Sequence, residues 1–408
     1  MSATSSKPAS AAALAEAERY VILRRAAADD PDIRTDALAA LAGVAEADLP
    51  AFLLRHAQAD EAGWRRGLRT AALWQGLCGG SMPAEPGMDD DCMATFGMTA
   101  AELARLGERP QFRLRLPAAY RLEPALDYHG RDPAGPAERR EGCSLRKALW
   151  LAGEPLVLML TLAEGEAVVA VEGAGASRWG EVMPEAHRTV CRMLGLGAGH
   201  AAWRALARRE PLAARLDEMG PPLWLPLAAS PWEALCWAII GQQINLAFAT
   251  RLRAVLIEEA GQPAGDSGLI AFPTPQQVAA LEGEALTRRQ FSRSKVKYLL
   301  SAAEAVASGG LALDALAEGS AETAERALLA LHGVGPWTAH YLMMRGLGFA
   351  DCVPVGDSGL SAALQRFYDL PARPDARETA RLMQPFSPCR SLATALLWQS
   401  LSPQGLNG

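Results

Sequence analysis

The chain has 408 residues, half of them hydrophobic and 21% charged, with a formal net charge of −6. That length supports two to four domains with a sizeable core. The acidic balance excludes a surface that attracts nucleic acid everywhere, so any grip on phosphate must come from local patches.

Seven cysteines (Cys78, Cys92, Cys143, Cys191, Cys236, Cys352, Cys389) lie far apart with no C-x-x-C pair. This spacing argues against a disulfide framework or a zinc site and for reduced thiols. No stretch has the length of a transmembrane helix, and the Ser/Ala-rich start lacks an apolar run of signal-peptide length. The expectation is a cytoplasmic protein with no membrane partner.

Taken in chain order, residues 1–30 read as a flexible tail running into a helix, and residues 31–108 as all-helical. Leu38 to Val44, followed by Leu49 and Phe52, has the rhythm of a helix-turn-helix with Gly43 in the turn. Glu46, Asp48 and Pro50 stand where a DNA-reading helix carries Arg, Lys, Asn or Gln. Acidic groups there repel phosphate, so sequence-specific binding is not expected of this region.

Residues 109–200 change character. FRLRLPAAY (112–120), CSLRKALWL (143–151) and EPLVLMLTLAEGEAVVAVEG (154–173) are alternating or β-rich, with Glu-Gly turns, and 181–196 reads as a helix. From 201 to 402 the chain is helical. SPWEALCWAIIGQQINLAFATRLRAVL (230–256) is strongly apolar but breaks at Gly241-Gln242-Gln243-Ile244, where packing gives two adjacent glutamines no role. Thr274-Pro275 marks a capped helix start. RRQFSRSKVK (288–297) holds five basic residues and no acidic one, a candidate phosphate-facing patch that reads equally as a solvated helix face. The fold class expected is mainly α with one α+β domain.

Residues 331–357, LHGVGPWTAHYLMMRGLGFADCVPVGD, carry the most chemistry. Gly333 and Gly335 flank Val334 and permit positive φ and close backbone approach. Pro336 suits a first helical turn. Trp337 and Tyr341, four apart, share a helix face, and Gly346 and Gly348 read as that helix's end. Asp357 then opens a second amphipathic helix. Singly these are a tight turn, core rings and an N-cap. Together they bring one carboxylate near two aromatic rings and a loop of N–H groups suited to phosphate. His332 and His340 have no matching Cys or carboxylate spacing, so no metal site is expected.

This stretch resembles the helix-hairpin-helix DNA glycosylases, in which L-x-G-[VI]-G opens the motif and a downstream aspartate is catalytic. Among them it resembles the 3-methyladenine DNA glycosylase II, or AlkA-type, enzymes. The resemblance implies that Asp357 is catalytic, that Trp337, Tyr341 and Trp398 form the base pocket, and that Gln242, Gln243, Gly333, Val334, Gly335, Thr338 and Arg390 contact DNA. Gln243 would fill the hole left by a flipped base. Pro388-Cys389-Arg390-Ser391 matches the family's P-W-R-S segment with Cys389 in place of the tryptophan, and Arg390 there could instead orient the hairpin or an acidic neighbour.

The resemblance further implies a helix-hairpin-helix glycosylase domain at 201–402, preceded by a TATA-binding-protein-like α/β domain at 109–200. FGMTAAELARL (96–106) resembles the end of an AraC-type domain, here degenerate, over 31–108. Bifunctional members use a lysine where Trp337 stands, so a monofunctional enzyme is implied. Its substrate would be duplex DNA carrying alkylated bases of the 3-methyladenine and 7-methylguanine type, bound by a monomer. No cofactor is implied, although the resemblance allows a monovalent cation at the hairpin. Two alternatives stand beside this reading. One is a DNA-binding regulator or damage sensor without catalysis. The other is a glycosylase for deaminated or oxidised bases, which needs hydrogen-bonding groups in its pocket.

Overall fold

A computed structural model describes residues 11–30, 32–78, 92–93, 95–132, 135–196, 199–220 and 222–401. Its apolar side chains gather into three principal cores along the chain. In the first, Tyr20, Leu23, Leu38, Leu49, Phe52, Leu53 and Trp64 are buried between the helices Ala11–Asp29, Thr35–Ala42, Leu49–Ala57 and Glu61–Cys78. The tail expected at the start is therefore largely a packed helix, because Tyr20, Leu23 and Ala27 bury on one of its faces. The first ten residues lie outside the described ones. Gly43 ends Thr35–Ala42 in the left-handed conformation (φ 64°), as a turn glycine should.

The second core lies under a five-stranded antiparallel sheet of β1 (Gln111–Arg115), β2 (Glu138–Glu141), β3 (Ser144–Leu151), β4 (Glu154–Ala163) and β5 (Glu166–Glu172), in the order β1-β5-β4-β3-β2. Burial alternates along β1 and β5, and the helix Trp179–Leu194 covers the inner face with Val182, Met183, Ala186, Val190 and Met193. Strand β2 was not foreseen from the sequence, since Glu-Arg-Arg-Glu carries no apolar alternation.

The third and largest core belongs to the helices between Gly199 and Gln399. Four buried charges join it to the sheet. Glu138 on β2 and Lys147 on β3 meet Glu233 on the helix Pro231–Ile240 and Arg253 on the helix Leu246–Ala260. Arg253 lies 2.8 Å from Glu138 and 2.7 Å from Glu233, while Lys147 bridges the same two acids. Two acids and two bases leave no net charge, which makes their burial tolerable. The quartet thereby holds the two helices that flank the Gly241–Asn245 turn. Among the described residues no single helix is long and apolar enough to cross a membrane.

Candidate active site

The hairpin sits between the helices Ala321–Leu329 and Pro336–Leu342. Gly333 has φ +85°, and a Cβ there would meet the Tyr298 ring at 2.2 Å, so glycine is required. Pro336 opens its helix and Gly335 caps it without a side-chain bond, leaving the first-turn N–H groups outward. The helix does not end at Gly346. Met343–Leu347 continues it as a π-turn, and Gly348, left-handed at φ 82°, terminates it.

Asp357 is the N-cap of the helix Ser358–Phe367, its Oδ1 accepting from the Leu360 N–H at 2.7 Å. Two indoles reach the same carboxylate. Trp337 Nε1 donates to Oδ2 at 3.0 Å, and Trp398 Nε1 donates to Oδ1 at 2.9 Å. Tyr341 lies between the two rings, 5.4 Å from Trp337 and 6.4 Å from Trp398. Of the three aromatics named from the sequence, Trp337 and Trp398 reach Asp357 as donors and Tyr341 packs on both rings, while Trp337 is the one that lines the groove beside the carboxylate. Tyr341 is buried, which pushes its phenol pKa up.

Asp357 and Trp337 line a groove of about 1170 Å³ together with Gly241, Gln242, Gln243, Tyr298, Gly333 and Gly335. Gln243 is exposed on the groove in a left-handed conformation (φ 56°). Gln242 turns inward, its amide donating to the Gly333 carbonyl at 2.9 Å and to Thr338 Oγ1 at 3.0 Å. It ties the turn to the hairpin.

Two of the expected DNA contacts need correction, and Arg390 takes the other role expected of it. Thr338 is 2% exposed and its hydroxyl is taken by Gln242, so it braces the hairpin from inside. The Val334 side chain is buried too, leaving only backbone to face outward. Arg390 grips Asp351 with two nitrogens, at 2.7 and 2.8 Å, and therefore orients an acidic neighbour.

The basic run is also thinner than its composition suggested. Arg289 pairs with Glu258 and Glu259, and Arg288 lies near Glu284. Lys295 is buried, its amine donating to the carbonyls of Gln242 at 2.6 Å and Ile239 at 3.3 Å, and burial lowers its pKa to about 8. Arg293 and Lys297 remain exposed. The Leu331 and Gly333 carbonyls already accept bonds, from the Val334 N–H and from Gln242.

Sequence reading missed a ring of cations behind the aromatics. Arg131 stacks on Trp237 at 3.9 Å and on Tyr128 at 4.7 Å. Arg345 lies 4.6 Å from Tyr128 and 5.7 Å from Trp398. Tyr128 and Arg131 come from the α/β region, far away in sequence, so no local pattern could have revealed them.

Comparison with known proteins agrees with this geometry. Residues 236–388 match the family described as HhH-GPD superfamily base excision DNA repair protein. The chain is 34% identical over 172 residues to the DNA-3-methyladenine glycosylase of Bacillus subtilis, covering 42% of this chain and 57% of that protein. It is 31% identical over 186 residues to DNA-3-methyladenine glycosylase 2 of Escherichia coli, covering 45% of this chain and 62% of that one. It thus spans about three fifths of the length of these two relatives.

Among solved structures, the 3-methyladenine DNA-glycosylase from Archaeoglobus fulgidus superposes with a TM-score of 0.61 at 23% identity, over 71% of this chain and 97% of that one. The Clostridium acetobutylicum 8-oxoguanine glycosylase/lyase gives 0.56 at 16% identity, over 72% and 95%. Both likenesses establish the fold alone, and two lesion classes share it.

Proposed function

We propose that this chain, whose residues 236–388 match the family described as HhH-GPD superfamily base excision DNA repair protein, is a monofunctional DNA glycosylase. It excises alkylated bases from duplex DNA by hydrolysing the N-glycosidic bond. The observation that carries the reading is Asp357, held by three N–H donors at the wall of an open groove that the hairpin and the Gly241–Asn245 turn also line.

Departure of the base builds positive charge on the sugar, and a fixed carboxylate near the anomeric carbon lowers that barrier. The lone pairs of Asp357 show how. Oδ1 accepts from Leu360 and Trp398, whereas among the described residues Oδ2 accepts only from Trp337. A carboxylate oxygen has two acceptor sites, so Oδ2 keeps one for the sugar or an attacking water. The hairpin N–H groups grip phosphate, and exposed Gln243 enters the space of the extruded base. The electron-rich face of Trp337 attracts a cationic alkylated base by about 0.5–2 kcal/mol.

A second reading has an observation in its favour. Arg345 already places positive charge over Trp398, with Arg131 close by over Tyr128 and Trp237, and like charges repel a cationic base. Neutral deaminated bases such as hypoxanthine would not suffer this. A panel of duplexes with one lesion each separates the two readings. Release of 3-methyladenine or 7-methylguanine ahead of hypoxanthine is expected, and the opposite order would favour the second reading. Borohydride in the same reactions should trap no covalent adduct, since no amine stands at Trp337 and Lys295 is spent on two carbonyls.

A further inference from the structure

We propose that Gln58, in the N-terminal helical region, and His340 are positioning residues for Asp357, which makes that region a working part of the active site; this rests on the glycosylase reading above.

The segment that delivers Asp357 is irregular and pairs with no described strand, so its N–H groups need other partners. Three successive ones find side-chain acceptors from three separate elements. The Asp351 N–H donates to Gln58 Oε1 at 2.7 Å, the Cys352 N–H to Ser391 Oγ at 3.0 Å, and the Val353 N–H to His340 Nδ1 at 3.1 Å. The Asp351 carboxylate is meanwhile clamped by Arg390 and by the Ser387 hydroxyl at 2.9 Å. With Asp351 to Val353 fixed, the short turn through Gly356 aims the carboxylate.

Gln58 is itself held firmly. It ends the helix Leu49–Ala57 in the left-handed conformation (φ 53°). That helix docks on the glycosylase helices through buried His56, whose Nδ1 lies 3.0 Å from Ser320 Oγ. The docking of a region with no DNA-reading residues therefore reaches within a few residues of the reacting carboxylate.

His340 is held from its far side. Its Nε2 is 3.0 Å from Glu325 Oε1. A backbone N–H can only donate, so Nδ1 must be the acceptor and Nε2 must carry the proton. The charged groups lining the same recess are Glu16, Arg55, Glu322, Glu325, Asp351 and Arg390.

The test uses the full-length chain and four variants. Gln58→Met keeps the length and loses the acceptor, whereas Gln58→Glu keeps an acceptor. His340→Ala loses it, and His340→Asn restores one that cannot take a proton. Single-turnover base release, duplex affinity and amide hydrogen exchange over residues 349–360 are measured for each. Gln58→Met and His340→Ala should lower the rate about tenfold, leave affinity within roughly twofold and speed exchange in that peptide. Gln58→Glu and His340→Asn should recover the rate. Wild-type rate and exchange in Gln58→Met would overturn the proposal, as would recovery by neither conservative variant. If the wild type releases no base, the glycosylase reading fails, and unchanged exchange in Gln58→Met would then separately overturn the clamp.

Discussion

At the scale of single residues, the two tryptophans around Asp357 matter less for their rings than for their N–H groups. Trp337→Phe and Trp398→Phe keep an aromatic face and delete one donor to a carboxylate each. A hydrogen bond to a charged group contributes about 1.5–3 kcal/mol, so base release in single turnover should slow roughly tenfold to a hundredfold. Duplex affinity should change little. Equal rates in mutant and wild type would reduce these indoles to packing. The spacing of Asp357, Trp337 and Tyr341 was legible in the sequence because all three lie within one local motif. The place of Trp398 beside the same carboxylate came from the family resemblance alone, and the reach of Gln58 to Asp351 had no sign in the sequence. Both depend on helices distant in the chain, and a helix face says which side is buried without saying what it meets.

At the scale of elements, the hairpin and the Gly241–Asn245 turn act as one unit. Gln242 joins them, and Lys295 ties the turn to the helix Arg293–Ala307. Gly333→Ala should break this unit, because its Cβ would fall 2.2 Å from the Tyr298 ring in a left-handed conformation. The left-handed backbone alone costs about 1–2 kcal/mol. Weaker duplex binding, with a smaller dependence of affinity on salt, is expected in a fluorescence titration against undamaged DNA. Unchanged binding would mean that the hairpin does not grip phosphate. The helices around the hairpin were readable from caps and glycines, and the Thr274 capping box appears as expected. Strand β2 was hidden by its charges, and the π-turn at Met343–Leu347 follows a helical apolar pattern that gives no sign of the wider winding.

At the scale of the molecule, the buried quartet sets how sheet and helices move together. Burial alone would raise the pKa of Glu233 and of Glu138, yet Lys147 and Arg253 outweigh it and hold both below their ordinary value of 4.5. A depressed carboxylate contributes stability that is present above the unfolded value and lost as pH falls below it. Thermal unfolding followed by circular dichroism should therefore show the melting temperature falling on acidification below pH 4.5. Arg253→Met should abolish much of that dependence and cost about 3–5 kcal/mol, since it leaves two buried acids to share the single charge of Lys147. A flat pH profile in the wild type would contradict this. The quartet was invisible in the sequence, where its four members are scattered over more than a hundred residues.

Asp357 faces an open groove, and one substitution tests its role directly. Asp357→Asn preserves size and an oxygen that can accept from Leu360. It removes the negative charge that would face the sugar. Single-turnover release of 3-methyladenine from a duplex bearing that base, with wild type and Asp357→Asn compared at equal DNA occupancy, is the decisive measurement. Release by the wild type and a loss of at least about a hundredfold in the mutant are expected, with duplex binding retained. Equal release by both proteins would contradict the assignment of this carboxylate, and with it the account of the site.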